Sequence, residues 1–152
     1  MRAPMFVRRA GGADVPAMYR IYNSNLDDYF APENIEFFML QWPRGQLMAE
    51  TLTGIPAGAL SSYILEDGTA SIALLAVDGP FQGMGAGTML IDALRAECFR
   101  EGIWRMQLEA RVSNTRAINL YEHLGFRRTQ VLPSLYSDGT DGIRLVLELT
   151  HP

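Results

Sequence analysis

The sequence contains no lysine, and all 13 of its basic residues are arginines. An imine-forming lysine is therefore excluded, and so is the lysine of the ATP- and GTP-binding phosphate loop. The single cysteine, Cys98, cannot form an intrachain disulfide. The two histidines, His123 and His151, are too few for a histidine-based metal site. The sequence therefore predicts a protein without a bound metal.

Charge and hydropathy exclude further classes of protein. The net charge of −4 and a pI near 5.1 argue against a nucleic-acid binder, which usually carries a basic face. No apolar run approaches the roughly 20 residues that span a bilayer. Arg8 and Arg9 follow a short Met-Phe-Val run, so no signal peptide is expected. We expect a cytoplasmic protein without a nucleic-acid or membrane partner, in which residues 1–152 form a single domain.

Strand-like and helix-like patterns alternate along the chain and predict an α/β or α+β layered sheet. The predicted helices begin at Asp14 and Pro32, after the glycines near position 85, and at Ser113. The predicted strands cover residues 4–10, 45–52, 58–66, 70–77, 103–112, 126–132 and 143–149. Residues 70–77 are almost continuously apolar, which is typical of a strand covered on both faces.

Local features refine this assignment. Gly102 is predicted to end the third helix. The last helix is predicted to present one apolar face, and both tryptophans are expected to fill the core or a helix–sheet contact. That helix face comprises Ala117, Leu120, Tyr121 and Leu124, and the tryptophans are Trp42 and Trp104.

Glycines are concentrated between the strand at 70–77 and the third helix. Gly83, Gly85 and Gly87 allow several backbone N–H groups to converge at a helix N-terminus, which predicts an anion cradle for a phosphate or pyrophosphate. The dinucleotide fingerprint fails because position 88 is threonine, and the ATP loop fails because lysine is absent. On these residues alone, a glycine-rich turn that binds nothing remains the alternative.

Two ordered motifs resemble the GCN5-related N-acetyltransferase (GNAT) superfamily. The spacing Gln82-x-x-Gly85-x-Gly87 resembles the superfamily's acetyl-CoA pyrophosphate loop. The stretch LEARVSNTRAINLYEHLGF, residues 108–126, resembles its last motif, particularly in the RimI-type branch of protein N-terminal acetyltransferases. The resemblance implies the GNAT fold, a twisted mixed sheet of six to seven strands flanked by about four helices.

The same resemblance implies acetyl-CoA as co-substrate and no metal. Main-chain groups of the strand at 74–77 are expected to contact the pantetheine arm, and one backbone N–H to polarise the thioester carbonyl. The cofactor-binding residues that it implies are Leu75, Ala76, Val77, Gln82, Gly83, Met84, Gly85, Ala86, Gly87, Asn114 and Tyr121.

Two residues of the second motif are the catalytic candidates. Glu109 is implied as the base that deprotonates the acceptor amine, and Tyr121 as the acid that protonates the leaving thiolate. The alternatives are a solvated strand glutamate and a core tyrosine. No motif positions a cysteine for an acyl-enzyme, so direct attack in a ternary complex is expected.

The remaining stretches resemble the Ard1- and NatB-type members. Residues 23–28 and 37–50 resemble their early helices and second strand, and residues 133–149 resemble their closing hairpin. In those members the loop between the first two helices and the hairpin form the two walls of the peptide groove, which implies Leu26 and Tyr136 as substrate-binding residues. The usual paired tyrosines are replaced by Leu135 and Tyr136. Asp27 and Asp28 form either a solvated turn or part of the acceptor site.

The expected acceptor is the N-terminal α-amine of a protein or peptide. The resemblance leaves the partner and the assembly open: a ribosome or auxiliary subunit is a possible partner, and the chain is either a monomer or a homodimer. It also leaves two alternative functions open, namely acetylation of a small amine (polyamine, aminoglycoside or amino acid) and a non-catalytic acyl-CoA sensor.

Overall fold

In the computed structural model, which describes residues 4–150, the chain forms seven strands and four α-helices. The strands are β1 (Met5–Arg9), β2 (Leu47–Thr51), β3 (Pro56–Ile64), β4 (Ala70–Val77), β5 (Arg105–Arg111), β6 (Arg127–Leu132) and β7 (Gly142–Glu148). The helices are α1 (Val15–Asn25), α2 (Pro32–Gln41), α3 (Ala86–Glu101) and α4 (Thr115–His123). The predicted number and order of elements are confirmed.

All seven strands belong to one sheet with the order β1-β2-β3-β4-β5-β7-β6. Neighbours are antiparallel except for β4 and β5, which run parallel because α3 connects them as a crossover. The mixed sheet flanked by four helices matches the predicted fold class.

The parallel pairing of β4 and β5 is short. It covers only three residue pairs, from Ala70–Met106 to Ile72–Leu108. At this point the register between β3 and β4 shifts, so that Ala73 is an extra residue on β4. A bulge of this kind bends its strand and increases the local twist. Beyond Ile72 the two strands therefore diverge and open a cleft in the middle of the sheet.

Helices cover both faces of the sheet. On one face, α1 and α2 bury an apolar cluster that includes Met18, Ile21 and Ile35. On the other face, α3 and α4 bury Leu90, Leu94 and further residues of a second cluster. Each fully buried aliphatic side chain contributes about 1.5–3 kcal/mol relative to exposure. The two clusters hold the diverging strands in place from opposite sides.

Several local predictions are corrected by the structure. Asn114, not Ser113, caps α4, because its side-chain oxygen accepts a hydrogen bond from the Ala117 N–H. The buried residue of α4 is Ile118, whereas Leu120 is 38% exposed.

The tryptophans and β4 also differ in part from expectation. Trp42 is buried as predicted, but Trp104 lies just before β5 and is 59% exposed. The second half of β4 is not covered on both faces, because burial alternates from Ala73 onward. One side of that half faces the cleft.

Candidate active site

The cleft between β4 and β5 contains two adjoining cavities of about 480 and 230 Å³. The larger cavity lies over the glycine-rich loop, and the smaller one lies beside Glu109 and the segments that follow α1 and β6. The two cavities share one wall. The residues that line both are Asn25, Leu26, Leu75, Asn114, Ala117 and Tyr121.

The glycine-rich loop adopts a conformation that explains its composition. Gly83 and Gly85 have φ angles of +81° and +85°, in the left-handed region where other residues are strained. Gly85 is also the N-cap residue of α3, a helix of 16 residues. The Gln82 side chain donates a hydrogen bond to the Val77 carbonyl at 3.0 Å and thereby ties the loop to the end of β4.

The larger cavity has the features of an anion site. The N-terminus of α3 opens onto it, so unpaired N–H groups and the positive end of the helix dipole face the cavity. Arg116, in the first turn of α4, also lines it and makes no ion pair within residues 4–150. A chain of net charge −4 thus directs an unneutralised cation and a helix terminus at the same space.

Tyr121 stands where the two cavities meet. Its ring packs edge-on against the buried Phe126, with 6.1 Å between ring centroids. Burial, aided by the neighbouring Tyr136, raises the pKa of Tyr121 to about 12. The phenol therefore stays protonated throughout the physiological pH range and is available as a hydrogen-bond donor. The core and functional interpretations of this tyrosine are compatible.

Glu109 projects from β5 into the smaller cavity, with its side chain 25% exposed. Its partner across the strand pair is Arg144 of β7, whose guanidinium lies 3.6 Å from the Glu109 carboxylate. Arg144 also donates to Gln130 of β6 at 3.3 Å. This row of side chains across three strands holds the carboxylate at the cavity wall rather than in bulk solvent.

Most of the residues expected to bind cofactor line the larger cavity. They are Leu75, Ala76, Val77, Gln82, Gly83, Gly85, Ala86, Gly87, Asn114 and Tyr121. Met84 is half-buried beside the loop and is not among the lining residues. Leu26 and Tyr136, expected at the substrate site, both line the smaller cavity.

Other residues of the larger cavity were not among those expected from the sequence, namely Asn25, Phe81, Thr88, Arg116, Ala117 and Leu120. Arg116 could have been predicted, since it stands two residues after Asn114 at the start of the helix that belongs to the second motif. The position of Asn25 at this cavity could not, because only the tertiary fold brings the end of α1 to the glycine-rich loop.

Metal-binding and membrane-spanning features are both missing from residues 4–150. No three His, Cys, Asp or Glu side chains in this range group as metal ligands; His151 lies outside the described residues. No helix in the same range has the length and apolarity required to cross a membrane.

Comparison with known proteins agrees with this geometry. The Acetyltransferase (GNAT) family matches residues 15–126, which include the glycine-rich loop, Glu109 and Tyr121. The chain belongs to the GNAT family.

Solved structures of other GNAT proteins share the whole fold. Ard1 from Thermoplasma volcanium is 28% identical with a TM-score of 0.93, and the match covers 98% of this chain and 100% of that one. The ribosomal-protein-S18-alanine N-acetyltransferase from Escherichia coli is 26% identical with a TM-score of 0.86, over 97% and 96% of the two chains.

A relative known from sequence is the human N-alpha-acetyltransferase 30. It is 28% identical over 151 residues, which is 97% of this GNAT chain but 42% of the human protein. This chain therefore spans less than half the length of that relative.

Proposed function

We propose that this GNAT protein transfers an acetyl group from acetyl-CoA to the N-terminal α-amine of a protein or peptide, by direct attack in a ternary complex in the cytoplasm. The observation that carries the proposal is the junction of the two cavities at Tyr121. One cavity has the anion-binding features that CoA phosphates require, and the other holds the Glu109 carboxylate beside apolar side chains.

The larger cavity fits acetyl-CoA by the chemistry of its donors. Glycines with positive φ, the α3 N-terminus and Arg116, which makes no ion pair with the residues that the structure describes, together suit a pyrophosphate. Beyond Ile72, β4 has no strand partner on the β5 side, so its main-chain groups are available to an extended arm. When bound, acetyl-CoA supplies the activated acyl group.

Glu109 would act as the base, directly or through a water molecule. An N-terminal α-amine has a pKa of about 7.7–8.0, against roughly 10.4 for a lysine side chain, so the base has only a modest task at neutral pH. Its carboxylate removes a proton from the ammonium, and the nitrogen lone pair then attacks the acyl carbon. The C–N bond forms as the C–S bond breaks.

Tyr121 would stabilise the departing sulfur. With a pKa of about 12, compared with about 8.5 for a thiol, complete proton transfer from this phenol to a free thiolate is uphill. In place of the full proton transfer that the family resemblance implies, Tyr121 would donate a hydrogen bond to the developing thiolate, and the attacking nitrogen would supply the proton that the sulfur finally takes. A backbone N–H of β4 beyond Ile72 would donate to the carbonyl oxygen.

The smaller cavity suits a peptide N-terminus. Leu26, Phe30 and Leu108 give it apolar walls beside Glu109, and Tyr136 closes one side. The similar structure from Escherichia coli is named for a protein acceptor, ribosomal protein S18, and the human relative is named an N-alpha-acetyltransferase. Both names favour an N-terminus over a free small amine as the acceptor. A ribosome contact or an auxiliary subunit would present that N-terminus to the groove.

The test is release of CoA from acetyl-CoA with peptides of different first residues. Each peptide is paired with an N-terminally blocked version that carries a free lysine, and polyamines, an aminoglycoside and free amino acids are included. The proposal expects release with free N-termini only. Release with small amines alone would indicate a small-amine acetyltransferase, and acetyl-CoA binding without any turnover would indicate a sensor.

Two variants test the assigned roles. Glu109→Gln and Tyr121→Phe should each lower kcat by roughly 10²-fold or more while leaving the Kd for acetyl-CoA within about twofold. The control is Glu148→Gln on β7, which removes a strand carboxylate at the far end of β5, where it pairs with Arg105. Unchanged kcat in both active-site variants would overturn the roles of Glu109 as base and Tyr121 as donor.

A further inference from the structure

Arg111 is the last residue of β5, and it has no part in the proposed acetyl transfer. It lies two residues after Glu109, so the two side chains project from the same face of the strand. Its side chain is 15% exposed, and it lines the smaller cavity together with Glu109.

The guanidinium of Arg111 contacts three carboxylates. It lies 2.9 Å from Asp138, 3.3 Å from Asp28 and 3.3 Å from Asp27. It also stacks over the Tyr136 ring, 4.2 Å from the centroid. A planar guanidinium with five N–H donors can engage several carboxylates at once, which a lysine ammonium could not do in this geometry.

These partners come from the two opposite walls of the smaller cavity. Asp27 and Asp28 lie on the segment between α1 and α2, and Tyr136 and Asp138 on the segment between β6 and β7. The walls also touch directly, because the Ser137 hydroxyl donates to Asp28 at 2.8 Å. The segments are more than 100 residues apart in sequence, so their separation is set by these contacts.

We propose that Arg111 is a positioning residue that holds the two walls of the acceptor groove at the separation required to bind a peptide N-terminus. The inference rests on the proposed function. Its consequence is specific: Arg111 controls binding of the acceptor, whereas the acetyl-CoA side, built from β4, α3 and α4, does not depend on it.

A second consequence is coupling between the walls. Asp28 and Asp138 sit on different walls and share the Arg111 guanidinium as their link. Removing either carboxylate should alter how well the other holds its wall. In an Arg111→Met background the ionic link is absent, and the remaining contact is the Ser137–Asp28 hydrogen bond, which an asparagine oxygen at position 28 can also accept. The effects of Asp28→Asn and Asp138→Asn should therefore be independent in that background.

The first test measures steady-state constants. Arg111→Met should raise KM for the acceptor peptide by roughly tenfold, since small displacements in a binding site are costly. The Kd for acetyl-CoA should change by less than twofold, because the acetyl-CoA side does not depend on Arg111. Arg105→Met is the matched control, because it makes the same substitution on the same strand and removes one ion pair, with Glu148, away from the cavities. Equal effects in the two variants would overturn the proposal.

The coupling is tested in the same assay. Asp28→Asn and Asp138→Asn should each raise the acceptor KM several-fold in the wild-type background and less than twofold in the Arg111→Met background. Arg111→Lys should not restore the wild-type KM, because one ammonium cannot bridge both walls. Equal effects of the aspartate variants in both backgrounds would show that Arg111 does not link them.

A readout without any acceptor separates failure of this proposal from failure of the proposed function. In Arg111→Met, amide hydrogen exchange of residues 26–31 and 133–141 should accelerate together while α3 stays protected. Joint acceleration in an enzyme inactive on peptides would retain the link and reject the function. Unchanged exchange would reject the link whatever the activity.

Discussion

Replacing Gly85 by alanine probes the backbone conformation on which the anion cradle depends. Gly85 has a φ of +85° and is the N-cap residue of α3. An alanine in the left-handed region costs about 1–2 kcal/mol. For a chain of this size each kcal/mol lowers Tm by about 2–4 °C, so Gly85→Ala should lower Tm by roughly 2–8 °C.

The same substitution should weaken acetyl-CoA binding if the loop relaxes to relieve the strain. The α3 N–H groups would then turn away from the pyrophosphate, and a loss of about 1.4 kcal/mol would raise Kd about tenfold. Differential scanning calorimetry and isothermal titration with acetyl-CoA measure the two effects.

Gly79→Ala is the matched control for Gly85→Ala. Gly79 lies in the short turn just before the loop, its φ is not positive, and an added Cβ would meet no atom within 4 Å. At such a site alanine is neutral or stabilises by about 0.4–1 kcal/mol. Equal Tm and Kd values for the two variants would refute the strain and cradle roles of Gly85.

Three further perturbations have defined outcomes. Arg116→Gln should raise the Kd for acetyl-CoA several-fold and reduce the salt dependence of that Kd, because the variant loses a cation at the phosphate site. Titrations with acetyl-CoA at two ionic strengths measure both effects, and an unchanged Kd would contradict the prediction. Because the pKa of Tyr121 is about 12, the pH profile of kcat should show no decline from tyrosine ionisation below about pH 11. A decline near pH 10 that is abolished in Tyr121→Phe would contradict this prediction. Burial raises the pKa of the Cys98 thiol to about 12, so a maleimide at pH 8 should label Cys98 only after unfolding, and labelling of the native protein would disprove the burial.

Acid should weaken the Asp138 contacts only at very low pH. Hydrogen bonds from Thr140, and then from Arg111, lower the pKa of Asp138 to about 2. Because the folded-state pKa lies below the unfolded value of about 3.9, its contribution is fully present above that value and is lost as pH falls toward 2. An NMR titration of the Asp138 carboxyl checks this; a midpoint near 3.9 would contradict it.

Much of the cofactor side could be predicted from sequence because its signals are local. Glycine adopts positive φ without strain, so the conformations of Gly83 and Gly85 are consistent with their residue type. Their place between an apolar strand and a helix indicates a helix N-terminus. The predicted N-cap of α4 is wrong by one residue, because Ser113 and Asn114 are both good capping residues and sequence alone does not rank them.

The acceptor side was less predictable because tertiary contacts define it. No local pattern indicates that Ala73 is a bulge residue, yet that bulge separates β4 from β5 and creates the cleft. Likewise, nothing near Arg111 in the sequence shows that it meets Asp28 and Asp138 from distant segments.

The most direct test of the central claim is to locate the acetyl group on the product. A peptide with both a free N-terminus and an internal lysine is incubated with the protein and acetyl-CoA, then sequenced by tandem mass spectrometry. The proposed function predicts acetylation of the α-amine alone, and its loss in both Glu109→Gln and Tyr121→Phe. Acetylation of the lysine side chain, or of neither amine, would contradict it.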